Sequence, residues 1–377
     1  MSPLSENFTF GHSTSKKLVT VGLVVLLAAS LAFMGWAIYD SRQKPVAGAT
    51  ETVVEEEALL PEPPPPPPKY YCPLSGMEFD TKAPTVKRPI VVQVDNAPAA
   101  RPQSGLSQAD IVYEAMAEGQ VTRFSAVFAC RDADTVGPVR SARLINLELV
   151  PEYNALLANS GASSGVSAEL AARPDIPNIN HPGFPGIYWR TQDRFAPHNL
   201  MTSTTSIRQA ASEAGILVEV DRAGAGPVFR SSPNSAGAPV VGTPARTIAI
   251  PYSSSVDVGY QYDPGSSSWL RSMGGEPHID ALTKAQIATK NVIIQYVQVI
   301  ESDIEEDTGG NLGLIFKLTG TGKVVIFRDG QAITGTWQRA GIGEATSYVD
   351  AAGKPIPLSP GQTWIQLVPP DFPATWG

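Results

Sequence analysis

The chain has 377 residues, a formal net charge of −8 at pH 7, a sequence pI near 5.1 and 42% hydrophobic residues. That balance excludes a general nucleic-acid binder, which needs a basic surface to displace phosphate counterions, and it supplies enough apolar residues for two packed domains once tails are set aside. With 34 Pro and 33 Gly, the Pro concentrated in one linker, the remainder reads as loop-rich with many strands.

Residues 1–17 form a short tail ending in Lys16 and Lys17. Residues 18–39 are apolar almost throughout and carry no charge until Asp40, about the ~20 residues that a bilayer-spanning helix needs. The small residues Ala28, Ala29 and Ser30 lie in mid-run rather than at its exit, so the run reads as an uncleaved signal anchor. The two lysines place the tail in the cytoplasm and everything after Asp40 outside, a single-pass arrangement in the cell membrane. Residues 40–72 read as a tether, with Glu51, Glu55, Glu56 and Glu57 leading into PEPPPPPP, a stiff extended segment of ~3 Å per residue. Cys72 and Cys130 then face a non-reducing compartment where a disulfide is permitted. Their spacing is not that of a CxxC metal site, and Cys130 reads equally as a small buried residue ending a strand.

Residues 73–225 read as an α/β sandwich. PIVVQVD at 89–95 is a strand ending in Asp95 and Asn96; 109–117 and 121–130 are two more, joined through Glu118, Gly119 and Gln120. Gly137 and Pro138 break the chain, and a helix is expected over 141–153, where a spacing of three would set Arg140 and Arg143 on one face. A strand at 155–160 runs through Gly161–Gly165 into a helix ending near Ala171, and the Pro- and Gly-rich residues 174–197 read as a lid or binding loop. Residues 202–214 form a helix capped by Thr202 or Ser203 and stopped by Gly215. Residues 226–377 change texture. Short strands at 239–250, 259–262, 268–273, 291–300, 312–319, 323–328, 331–338 and 362–368 predict a mostly antiparallel β domain, with Asp329 and Gly330 making a hairpin turn. The fold class is therefore α+β, carried on one N-terminal transmembrane helix.

ARPQSGL at 100–106, ADIVYE at 109–114, EGQVTRF at 118–124 and GPVRSAR at 137–143 resemble the YerB-like lipoprotein family, a bacterial envelope group built from two domains of unknown function. The resemblance continues in GYQYDPGSSSWLRSMGGEPHID at 259–280, NVIIQ at 291–295 and GQTWIQLVP at 361–369, and so covers residues 73–370. It implies an envelope location but no activity. No cysteine directly follows the apolar run to carry a lipid, which departs from the lipoproteins of that family and points to a protein-anchored relative.

The sharpest constellation is Arg123, Arg140 and Arg143, joined by Arg101, with Asp95 and His198 at the rim. Guanidinium forks near a strand start and a helix start suit phosphate or carboxylate; the alternative is internal pairing with Asp95, Asp110, Glu114 and Glu118. His181, His198 and His278 are acid–base candidates, but no HExxH or comparable spacing supports a metal, and no cofactor is implied. Ser163 has the G-x-S-x-G spacing without an elbow context. Tyr260, Tyr262, Trp269 and Arg271 suit either stacking on a ligand or cross-strand packing, with Asp263, His278 and Asp280 near the same edge. Two classes follow: a protein held to the cytoplasmic membrane through residues 18–39 that binds an anionic envelope component, or a hydrolase or phosphotransferase acting on a cell-wall glycan or polyprenyl-pyrophosphate-linked polymer.

Overall fold

The structure, a computed structural model, describes residues 15–43, 69–220, 226–230, 242–307 and 309–377. The chain divides into two compact units, Met1–Pro66 and Pro67–Gly377. In the first, α1 (Ser15–Gln43) is a helix of 29 residues, and its Leu31, Phe33, Met34, Trp36, Ile38 and Tyr39 are all more than half exposed. Among the described residues no helix is long and apolar enough to cross a membrane. The run expected to do so includes residues 18–27, whose side chains lie outside the described set, as does most of the expected tether.

The second unit is α+β with few helices. Its strands of three or more residues are β1 (Ile90–Asp95), β2 (Ile111–Met116), β3 (Thr122–Phe128), β4 (Leu156–Ala158), β5 (Thr247–Ser253), β6 (Val256–Asp263), β7 (Ser268–Met273), β8 (Asn291–Tyr296), β9 (Val299–Glu305), β10 (Leu312–Phe316), β11 (Gly320–Arg328), β12 (Gln331–Arg339), β13 (Ser347–Val349) and β14 (Thr363–Val368). Its helices are α2 (Asn146–Glu152), α3 (Ser164–Ala171) and α4 (Thr204–Glu213). One large sheet runs β13-β12-β11-β8-β14-β2-β3-β1-β4. β14, from the end of the chain, lies between β8 and β2 and is parallel to both. The hydrogen-bonded sheet thus joins strands from both sides of the boundary expected near residue 225.

The physical basis is side-chain alternation. Every residue of β1, β8 and β14 is buried, as expected for strands covered on both faces. Val92, Val94, Val112 and Phe124 pack with α4 and with Ile248, Val258 and Trp269 of a second, antiparallel sheet β5-β6-β7. Val91, Ile111, Tyr113 and Val127 face the opposite way, onto Leu149 of α2 and Val166 of α3. In β5, Ile248 and Ile250 are buried while Thr247, Ala249 and Pro251 are exposed, so the second sheet has one wet face. α4 starts where expected: Ser203 caps it, its hydroxyl accepting from the Ser206 amide at 3.1 Å, and Gly215 closes it at a positive φ of 76°.

Two local expectations are corrected. The run 291–300 is not one strand but breaks between β8 and β9, and β9 with β10 forms a separate hairpin. This hairpin lies on α3, where a Cβ on Gly165 would fall 2.6 Å from Ile304 Cγ2. The helix expected over 141–153 is only α2, because residues 139–142 are taken up in backbone pairing. The Arg140 amide donates to Gln93 O (2.8 Å), the Ser160 amide to Arg140 O (2.9 Å) and the Ala142 amide to Gly161 O (2.8 Å). This segment fills the gap beyond the parallel β1–β4 pairing, which ends at Val92 and Ala158. Arg140 and Arg143 therefore do not share a helix face.

Candidate functional site

Asp95 ends β1 opposite Arg123, the second residue of β3. The Asp95 carboxylate is fully buried. Its Oδ1 accepts from the Ala97 amide at 3.0 Å and lies 3.3 Å from Arg123 Nη1; its Oδ2 lies 2.7 Å from His198 Nδ1 and 3.2 Å from Arg140 Nε. Burial pushes a carboxyl pKa up. Here Arg123, the Ala97 amide, His198 and Arg140 together outweigh burial and hold Asp95 below the usual range.

A second carboxylate, Glu118, takes Arg143 as a fork, with Nε at 2.9 Å from Oε2 and Nη2 on Oε1. Burial again pushes the Glu118 pKa up and Arg143 more than reverses it. Arg123 Nη2 lies 3.6 Å from Glu118 Oε1, and Arg143 Nε lies 3.4 Å from Glu306 Oε2. The charges form a chain, Asp95, Arg123, Glu118, Arg143, Glu306. The cavity beside Arg123 and Arg143 measures about 20 Å³, room for about one water. These two guanidinium groups are closed by carboxylates.

Arg101 is a brace. Its Nε donates to Asn96 Oδ1 (3.2 Å) and its Nη2 to Asn96 O (2.9 Å) and Ser255 O (3.1 Å), tying the end of β1 to the β5–β6 turn. Arg140 and His198 differ from the rest. Both side chains are a quarter exposed. Among the described residues neither terminal nitrogen of Arg140, nor Nε2 of His198, has a partner. The structure thus brings Arg123, Arg140 and His198 to the Asp95 carboxylate, leaves Arg101 beside it, and sends Arg143 to the next.

His198 is held by its loop. The Asn199 amide group donates to Thr191 O (2.9 Å) and Arg194 O (3.0 Å), and Arg194 Nη1 donates to Ala100 O (2.6 Å) and Pro102 O (3.1 Å). The second half of the expected lid is therefore pinned against the segment after β1.

Several of the other candidates hold the fold. His278 is buried: Arg271 Nη1 donates to its Nδ1 at 2.5 Å, and its Nε2–H donates to Gln103 Oε1 at 2.8 Å. Burial, then Arg271 and Arg101, push its pKa well below 6.5, so it stays neutral. Asp280 accepts from the Gly105 and Ser107 amides, and Asp263 caps its own turn at Gly265 and Ser266. Tyr260, Trp269 and Arg271 are core residues, and Tyr262 packs on Trp269 at 5.2 Å. Ser163 is the cap of α3, accepting from the Val166 amide, which removes the elbow reading. The Cys72–Cys130 disulfide is formed, with Cα atoms 6.0 Å apart.

A family model described as the N-terminal domain of "Protein of unknown function (DUF3048)" matches residues 74–217, and that of its C-terminal domain matches residues 248–365. The chain belongs to the DUF3048 family. A relative of this DUF3048 chain is YerB of Bacillus subtilis (strain 168), named as a lipoprotein: the two are 33% identical over 311 residues, 80% of this chain and 87% of that protein. The crystal structure of YerB from Bacillus subtilis matches with a TM-score of 0.71 at 32% identity, covering 82% of this chain and all of that one. The two DUF3048 matches flank the stretch around residue 225 where the texture changes.

Three asparagines escaped the sequence reading. Asn159 follows β4, and Asn178 and Asn180 flank the buried Ile179 inside the proline-rich loop. The alternation N-I-N was the available signal, masked by the surrounding Pro and Gly.

Proposed function

We propose that this is an envelope protein held at the cytoplasmic membrane by residues 18–39, with its folded unit outside, and that Arg140 and His198, positioned by Asp95, bind a phosphate- or carboxylate-bearing envelope component. The lipoprotein name of the YerB relative supports the envelope location. The observation that carries the binding reading is Arg140: a partly exposed guanidinium with uncommitted terminal nitrogens, beside a histidine oriented through Nδ1 by a buried carboxylate. An oxyanion there would meet the Arg140 fork and, once His198 is protonated, its Nε2–H.

The test is titration of the full chain in detergent micelles with inorganic diphosphate. Arg140→Ala should cost ~1.5–3 kcal/mol of affinity, the range for hydrogen bonds to charged groups. Equal affinity in the variant, or no saturable binding by the wild type, would reject the reading. For the anchor, the protein should stay with membranes after a carbonate wash; a released form beginning after Ala29 or Ala32 would reject it.

The Asp95–His198 contact favours a second reading, since a histidine fixed at Nδ1 with Nε2 open is placed as a general base. On that reading the protein is a hydrolase or phosphotransferase on a polyprenyl-diphosphate-linked polymer. Turnover of such a substrate, with and without magnesium, that disappears in His198→Asn would select it.

A further inference from the structure

Beside the Arg140 strand segment, a groove of about 390 Å³ opens between the loop after β4, α3 and residues 178–182. Its polar lining centres on Asn159, Asn178 and Asn180, and its apolar lining includes Leu170, Ala171 and Pro182. Among the described residues no charged side chain lines it. Asn159 is 1% exposed and donates from Nδ2 to Asn178 Oδ1 at 2.6 Å, while its own Oδ1 is buried without a partner among the described residues. An unmet buried acceptor is costly, about 1–3 kcal/mol, and so marks a place where a ligand donor is worth most. Asn180 Oδ1 is occupied by the Gly183 amide at 2.8 Å. That leaves the amide groups of Asn178 and Asn180 to face a ligand, with the buried carbonyl oxygen of Asn159 beneath the lining.

The absence of charge in the lining selects a neutral ligand. The choice between sugar and peptide is decided by the edge of β4. The Leu157 amide donates to Pro177 O (2.9 Å) and the Ile179 amide to Leu157 O (2.8 Å), so that edge is already paired and an extended peptide cannot add to it as a strand. A pyranose ring suits what remains. Its hydroxyls are both donors and acceptors, as carboxamides are, an acetamido substituent offers a C=O to an asparagine amide and an N–H that would satisfy Asn159 Oδ1 once that side chain turns toward the groove, and its C–H face can lie on Pro182 and Leu170. We infer that this groove binds a neutral, N-acetylated saccharide. The inference goes beyond the anion centre and does not depend on it.

The experiment is calorimetric titration of the full chain in detergent micelles with the trisaccharide of N-acetylglucosamine, against a trisaccharide of glucose. Wild type should bind the acetylated sugar saturably and more tightly than the glucose one. Asn180→Ala should weaken binding about tenfold, the loss of one neutral hydrogen bond, and Ala171→Trp, an exposed position on α3, should abolish it by filling the groove. Arg140→Ala should leave sugar binding unchanged, and Asn180→Ala should leave diphosphate binding unchanged, which separates failure of this site from failure of the anion centre. No saturable binding by wild type, undiminished binding by Ala171→Trp, or loss in Arg140→Ala with retention in Asn180→Ala would overturn the assignment.

Discussion

Glu114 and Arg271 form an ion pair at 2.7 Å in which both side chains are fully buried, although one comes from each of the two family-matched halves. Arg271 is packed among Trp364, Phe124 and Tyr260, with its guanidinium carbon 4.7, 5.5 and 5.8 Å from their ring centres. Burial lowers its pKa, but Glu114 and Tyr260 together more than compensate and hold it above its ordinary value. Removing the acid would strand a buried cation, at a cost of about 3–5 kcal/mol. Glu114→Ala should therefore lower the urea midpoint of the whole 67–377 unit in a single transition. Two transitions, with only one displaced, would show that the halves unfold independently.

Glu306 supplies a prediction of opposite sign. Burial holds its pKa above the usual carboxylate value, with Glu118 and Asp307 adding to the rise and Arg143 and Ser163 opposing it. A folded pKa above the unfolded one means that the protonated carboxyl contributes stability below the unfolded value, lost as pH rises through the folded one. Asp95 and Glu118, held low, behave in reverse: their contribution is present above the unfolded value and lost as pH falls through the folded one. Glu306→Gln should raise Tm at pH 7, and the gain should shrink as the buffer approaches pH 4.5. Calorimetric scans across that range decide it; a gain that grows on acidification would contradict the assignment.

These pairings explain what was legible in the sequence. Strands came through because alternation and turn chemistry are local: β7 matches its expected bounds, and Asp329 and Gly330 adopt the positive φ values, 51° and 72°, that their two-residue turn requires. The insertion of β14 between β8 and β2 was not legible, since parallel neighbours far apart in sequence leave no local mark. At the site, the residue types were readable and their roles were not. Arg140 and Arg143 have equal claims on a helix, but once residues 139–142 pair with the ends of β1 and β4, the two arginines serve different carboxylates.

The disulfide gives a third outcome. Cys72 and Cys130 are both buried, and the bond closes a loop across 58 positions of sequence, pinning the segment around Leu74 to the residues after β3. Constraint of the unfolded chain at that loop length contributes roughly 2–5 kcal/mol. A Cys72→Ala, Cys130→Ala double variant should unfold at correspondingly lower urea while keeping the anion centre, whose residues make no contact with the disulfide sulfurs. Unchanged stability in a protein verified as oxidised would show that the loop is constrained by packing alone.

The sharpest contrast lies between two arginines on the same carboxylate. Arg123 is 7% exposed and sits between Asp95 at 3.3 Å and Glu118 at 3.6 Å, and its pKa is pushed down by burial that those acids only partly offset. Arg123→Ala removes a buried cation from two buried acids, so it should cost about 3–5 kcal/mol of stability. Arg123→Lys should recover only part of this, because an ammonium cannot present a planar fork to both acids at once. Arg140 is a quarter exposed, and without it Asp95 keeps Arg123, His198 and the Ala97 amide. Arg140→Ala should therefore cost about 1 kcal/mol of stability or less, while diphosphate affinity falls as argued above. Urea titrations paired with calorimetry on the two alanine variants read both quantities. If Arg140→Ala instead destabilises the fold as much as Arg123→Ala and leaves anion affinity intact, Arg140 is one more member of the internal ion chain and the centre is structural.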